Sequence, residues 1–86
     1  MELKDTIEMM QSADYKERFI AEYRQTKIRY EKLKAFNNKI EAATYTNTVE
    51  MPKHDCPAQL LIAQEFAMSE YLHILEVRAE IEGIKL

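Results

Sequence analysis

The sequence predicts an all-α fold: a short N-terminal helix, then a long antiparallel helical hairpin that assembles as an oligomer. Three observations carry this prediction. The chain holds only one glycine and two prolines in 86 residues, so little interrupts a helix. Apolar and aromatic residues from Phe19 to Ile40 recur at alternating steps of four and three, the spacing of a seam along one helix face. The last third of the chain is apolar over more of its circumference than one neighbouring helix can cover, which calls for a further partner.

The first element spans about residues 3–11, with Leu3, Ile7 and Met10 on one face. "SAD" then interrupts it, and Ser12 or Asp14 can cap the next helix by accepting from unpaired first-turn amides. That second helix is expected over 14–42. Its seam runs through Phe19, Tyr23, Thr26, Tyr30, Leu33, Asn37 and Ile40, and Tyr15 extends it by one turn. Lys16, Arg24, Lys27 and Lys34 lie to one side of the seam, whereas Ile20 and Ile28 form a weaker apolar patch away from it.

Residues 43–56, "ATYTNTVEMPKHDC", break the pattern with β-branched residues, an Asn and a Pro, and read as the connection. Pro57 suits a first helical position, where its missing N–H costs nothing, with Asp55 or Cys56 as the cap. The third helix is expected over 57–82, closed by Gly83. Leu60, Leu61, Ala63, Ala67, Met68, Tyr71, Leu72, Ile74, Leu75, Ala79 and Ile81 cover about half of it, while Ile62, Phe66, Val77 and Ile84 lie roughly opposite. Within the chain only the short first helix remains to cover the excess, so an oligomer is expected, with Ile62, Phe66 and Val77 in the contact.

The totals set limits on function. At this length a single domain over 1–86 is expected, and a chain this short buries a modest fraction of its surface. No apolar run nears the roughly 20 residues that cross a bilayer, and "MELKDTIEMM" lacks the basic and apolar regions of a leader. A cytoplasmic protein with no membrane partner is expected. Cys56 is the only cysteine, so no intrachain disulfide forms. The net charge of −3 is unevenly spread: 14–41 carries eight Lys or Arg against five Asp or Glu, and 57–82 carries Arg78 against five Glu. Either the two segments lie side by side and neutralise each other, or the basic one keeps a face free for phosphates.

Arg78 falls within the broad apolar face of the third helix, near Tyr71. A buried guanidinium must be paired. It either meets a glutamate such as Glu22 or Glu31 on the second helix, or offers its planar fork of donors to a phosphate at a subunit interface. Tyr15, Phe19, Tyr23 and Tyr30 form an aromatic stripe that serves as core, or, with Lys16, Arg18, Arg24, Lys27 and Arg29 interleaved, as a surface that holds nucleotides by charge and stacking. The candidate ligand residues are therefore Tyr15, Lys16, Arg18, Tyr23, Arg24, Lys27, Tyr71 and Arg78. An extended nucleic acid is not expected, since the chain is acidic overall and carries no recognised nucleic-acid-binding motif.

His54 and Cys56 are close in sequence, but no CxxC or HxxxH spacing supports a metal. With no glycine-rich phosphate loop, no serine elbow and no paired carboxylates in an apolar setting, a non-enzyme without cofactors is expected.

The stretches "DYKERFIAEYRQTKIRYEKLK" (14–34), "HDCP" (54–57) and "AMSEYLHILEVRAEIEGIKL" (67–86) together resemble a group of small proteins carried by phages and prophages of Firmicutes. That resemblance implies a phage protein working in the host cytosol. The architecture also resembles the phage anti-CBASS sponges, which assemble from helical hairpins and sequester cyclic oligonucleotide signals of host immunity. Such a sponge needs cations for phosphates and flat side chains for bases, in a pocket between subunits. The expected function is accordingly immune evasion by binding a small anionic nucleotide, such as a cyclic oligonucleotide or an ADP-ribose-type ligand. Two other readings stand beside it: a module that inhibits a host defence protein directly, in the manner of an anti-CRISPR and through the acidic third helix, or a structural phage accessory protein.

Overall fold

The computed structural model describes residues 2–86, and every regular element among them is helical. A 3-10 turn, Leu3–Thr6, leads into the one-turn helix α1 (Ile7–Met10); α2 spans Tyr15–Tyr45 and α3 spans Ala58–Glu82. Asp14 caps α2, its Oδ1 accepting from the Lys16 N–H at 2.9 Å, while Ser12 Oγ accepts from the Asp14 N–H at 3.0 Å. Gly83, at φ 69°, closes α3 in the left-handed conformation that glycine adopts without a Cβ clash, and the Ile84 N–H returns to the Ala79 carbonyl at 2.8 Å.

The two long helices pack antiparallel: Tyr15 meets Glu82, Tyr23 meets Glu76 and Asn37 meets Leu61. Phe19, Tyr23, Asn37 and Ile40 of the α2 seam are buried, with Thr26, Tyr30 and Leu33 half-buried between them. On α3 the complementary seam is Leu61, Glu65, Met68, Leu72, Leu75 and Ala79, again at steps of four and three. Phe19, Tyr23, Leu72, Leu75, Ala79 and Ile84 form one apolar cluster at the open end of the hairpin. A radius of gyration of 15.9 Å, against about 12 Å for a rounded domain of this length, describes a rod two helices thick.

Four expectations are corrected. The N-terminal turns pack on α2, with Thr6 and Ala21 wholly buried, and make no contact with α3. Ala21 lies on the opposite side of α2 from the seam, so these turns cannot cover α3. Ile84, expected opposite the broad apolar face, is buried in the hairpin cluster, because the chain turns at Gly83 and leaves the helix before it. Leu60, Ile74 and Ile81 of the broad face stay exposed, Ile81 by 79%, because the α3 seam lies to one side of that face. Helix α2 runs to Tyr45 instead of ending at residue 42; Thr44 Oγ1 donates to the Glu41 carbonyl at 2.6 Å and stays within the helix. Neither Asp55 nor Cys56 caps α3: Pro57 itself holds the N-cap position, without a side-chain bond.

Candidate functional site

Because a hairpin has two edges where its helices meet, the predicted ligand residues divide between them. On one edge, Lys16, Lys27 and Lys34 fall on the same side of α2 by helical spacing, beside Tyr23 and Tyr30. The Lys27 ammonium stands 5.8 Å from the centre of the Tyr23 ring, and that of Lys34 stands 6.0 Å from the Tyr30 ring. Each pair is an i, i+4 neighbour, so the helix itself sets the cation beside the ring. From α3, Ser69, His73 and Glu76 face them across a groove of about 300 Å³. An adjoining groove of about 430 Å³ runs past Tyr23, Arg24, Lys27 and Glu31 to Leu86.

Tyr23 anchors this edge. Its hydroxyl donates to Glu76 Oε2 at 2.7 Å. Burial, then that hydrogen bond and the charges of Glu76 and Glu31, push its pKa up from 10.0 to about 12. The ring is held in place while Lys27 stays exposed at the groove mouth.

The other edge carries Tyr15, Tyr71 and Arg78. Here the expected burial of Arg78 is corrected: its side chain is 48% exposed, because the face of α3 on which it lies has no neighbour. It pairs with neither Glu22 nor Glu31. Its Nε meets Glu82 Oε2 at 3.3 Å, its Nη2 donates to the Tyr15 hydroxyl at 2.7 Å, and the guanidinium lies 5.0 Å from the Phe19 ring centre. Tyr15 in turn donates to Glu82 Oε1 at 2.9 Å. Glu22 accepts instead from the Tyr71 hydroxyl at 2.9 Å, and that bond, more than partial burial, raises the Tyr71 pKa.

Tyr23, Arg24 and Lys27 thus come together, whereas Tyr15, Tyr71 and Arg78 assemble elsewhere. Arg18 joins neither group; its Nη1 donates to the Ser12 carbonyl at 2.8 Å and fastens the turn before α2. Tyr30, Lys34 and His73 were not among the predicted ligand residues, although Lys34 repeats Lys27 one heptad on. Among the described residues no cluster of His, Cys, Asp and Glu suits a metal ion, and no helix is long and apolar enough to cross a membrane.

Residues 13–81, most of the chain, match the model of a protein family described as Sequestin. No curated protein and no solved structure matches the chain.

Proposed function

We propose that this chain, which belongs to the Sequestin family, withdraws a small anionic signalling nucleotide by binding it unaltered, as a phage protein evading host immunity. The family's name speaks for sequestration. The observation that carries the nucleotide reading is the repeated lysine-over-tyrosine pair, Lys27 on Tyr23 and Lys34 on Tyr30, along one open edge. Ammonium groups at the mouth of a groove meet phosphates, and Tyr30, half-buried where Tyr23 sits in the core, offers the exposed part of its ring to a base. Arg24 adds a further cation in the adjoining groove. No bond chemistry is asked of the protein.

In this reading the outer face of α3 holds a second copy. Leu60, Ala67, Ile74 and Ile81 recur every seven residues along it, and Val77 borders them. Its charges are self-complementary: Glu70 and Arg78 lie four residues on either side of Ile74. Antiparallel pairing about a two-fold axis at Ile74 sets Glu70 beside Arg78 of the partner subunit, twice, and Ala67 opposite Ile81 of the partner subunit. Tyr15, Tyr71 and Arg78 then belong to the contact between copies. His73 lines the groove, and Ile74 follows it in the chain.

A thermal-shift screen against cyclic dinucleotides, cyclic trinucleotides and ADP-ribose derivatives tests the proposal. A ligand at a hundredfold its Kd adds about 2.7 kcal/mol to the native state, a rise of roughly 10 °C or more for a chain of this size. A flat response across the panel would move the reading to a protein-binding role for the exposed face of α3.

A further inference from the structure

The register of the hairpin pairs the lysine edge with particular residues across the groove. Tyr23 reaches Glu76, and Asn37 reaches Leu61 and Glu65. Because the helices run antiparallel, the residues between these bonds follow in opposite orders. Lys27, four residues after Tyr23, is therefore about level with His73, three residues before Glu76, and Tyr30 is about level with Ser69. All four line the groove of about 300 Å³, with Tyr23, Leu72 and Glu76. Ser69 and His73 are i, i+4 neighbours on one side of α3, and both are exposed.

The two walls differ in how they can carry positive charge. On α2 the ammonium groups of Lys27 and Lys34 are permanent. On α3 the one Lys or Arg is Arg78, and it is engaged on the other edge with Glu82 and Tyr15. The α3 wall can therefore present a cation to the groove through His73, whose imidazole type changes charge between about pH 5 and 8. Around His73, α2 places Lys27, Tyr23 and Tyr30, with Lys34 over the Tyr30 ring and Arg24 and Glu31 in the adjoining groove. From α3 itself come Glu76, whose Oε2 accepts from Tyr23, and Glu70 and Glu80, three residues before and seven after. The N-terminal turns do not reach α3.

We infer that one phosphate of the ligand is clamped between Lys27 and His73 from opposite walls, with Ser69 donating one turn further along, and that His73 takes up a proton as the phosphate enters. An anion beside an imidazole favours its charged form, and the charged form donates the stronger hydrogen bond. The bound state then holds more protons than the free one, so binding tightens as pH falls. The inference rests on the sequestration reading and adds where the ligand's charge is held and how pH governs it.

The test titrates sodium sulfate, whose charge is constant over this range, into the isotope-labelled chain at pH 6 and pH 7.5 and at fixed ionic strength, followed by NMR. Sulfate is expected to move the backbone amides of Ser69 and His73 and to bind roughly fivefold more tightly at pH 6, the effect of one added charge-assisted bond at an open groove. His73→Gln keeps a donor but gains no proton, and should bind sulfate equally at both pH values; it leaves the fold intact because His73 is exposed. His54→Gln removes the other histidine, on the connection beside Phe36, and should leave the pH dependence unchanged. Equal affinity of the wild type at both pH values, a pH dependence that survives His73→Gln, or a His73 amide that does not move overturns the inference. A panel of cyclic dinucleotides and ADP-ribose derivatives on the same samples separates the two claims. If one of them binds equally well at both pH values, sequestration stands and the clamp falls. If sulfate behaves as expected and no nucleotide binds, the clamp stands and sequestration falls.

Discussion

Replacing Tyr23 with Phe keeps the ring and its place in the core but removes the hydroxyl that reaches Glu76 at 2.7 Å. Glu76 is exposed and returns to water, so the loss is one hydrogen bond to a charged acceptor, about 1–2 kcal/mol. At about 2.1 cal/mol/K per residue, the 86 residues give an unfolding entropy near 0.18 kcal/mol/K, which makes this a fall in Tm of about 5–10 °C. Its pH dependence is the sharper test. The proton on Tyr23 is held more tightly in the folded chain, with a pKa of about 12, than in the unfolded one at the ordinary 10.0. Its stabilisation is therefore complete below pH 10 and is lost as pH rises towards 12. Calorimetry on both proteins from pH 8 to 12 should show a gap in Tm that is constant at first and closes above pH 10, since the other titrating groups are common to both. A gap that persists unchanged to pH 12, or a Tyr23→Phe variant as stable as the wild type at pH 8, would refute the reasoning.

In the Ile74→Glu background, where the copies are apart, Arg78→Met should change stability by less than about 1 kcal/mol, because within one copy the half-exposed ion pair with Glu82 is screened by water; thermal unfolding checks this, and a loss of several kcal/mol would mean that the residue is buried within the hairpin. For Ile74→Glu, sedimentation at micromolar concentration should show monomers where the wild type is expected as at least a dimer, with a Tm lowered by the lost association but the hairpin still folded, since Ile74 is 54% exposed within one copy; a monodisperse wild-type monomer would exclude the contact. Lys27→Glu should leave stability within about 1 kcal/mol of the wild type, as befits an exposed flank, while weakening nucleotide binding; thermal unfolding and calorimetric titration separate the two effects.

The second helix was legible because one apolar stripe dominates it: the four–three spacing from Phe19 to Ile40 marks the buried seam directly. The lysine edge followed from the same arithmetic, since Lys27 and Lys34 must flank a seam that contains Tyr23 and Tyr30. The third helix was not legible to that degree. Its apolar residues cover most of its circumference, so spacing alone does not say which face meets α2, and the true seam admits Glu65, which accepts from Asn37. Arg78 was misplaced for that reason: the middle of the broad face is not the middle of the interface. The position of the N-terminal turns shows in the full burial of Thr6 and Ala21, and a single small residue gives no periodic signal. The unmet Asn37 Oδ1 needed both helices in register, because an unmet acceptor is visible only once its neighbours are placed.

The central claim is that the ligand is held and not altered. The direct measurement incubates the protein with a panel of cyclic dinucleotides and ADP-ribose derivatives, follows the free ligand by chromatography, then denatures the protein with heat and analyses what is released. The account predicts that free ligand falls in proportion to protein, that it returns intact and in full on denaturation, and that Lys27→Glu leaves it in solution. Conversion to a product beyond one equivalent, or no depletion of any member of the panel, would contradict it.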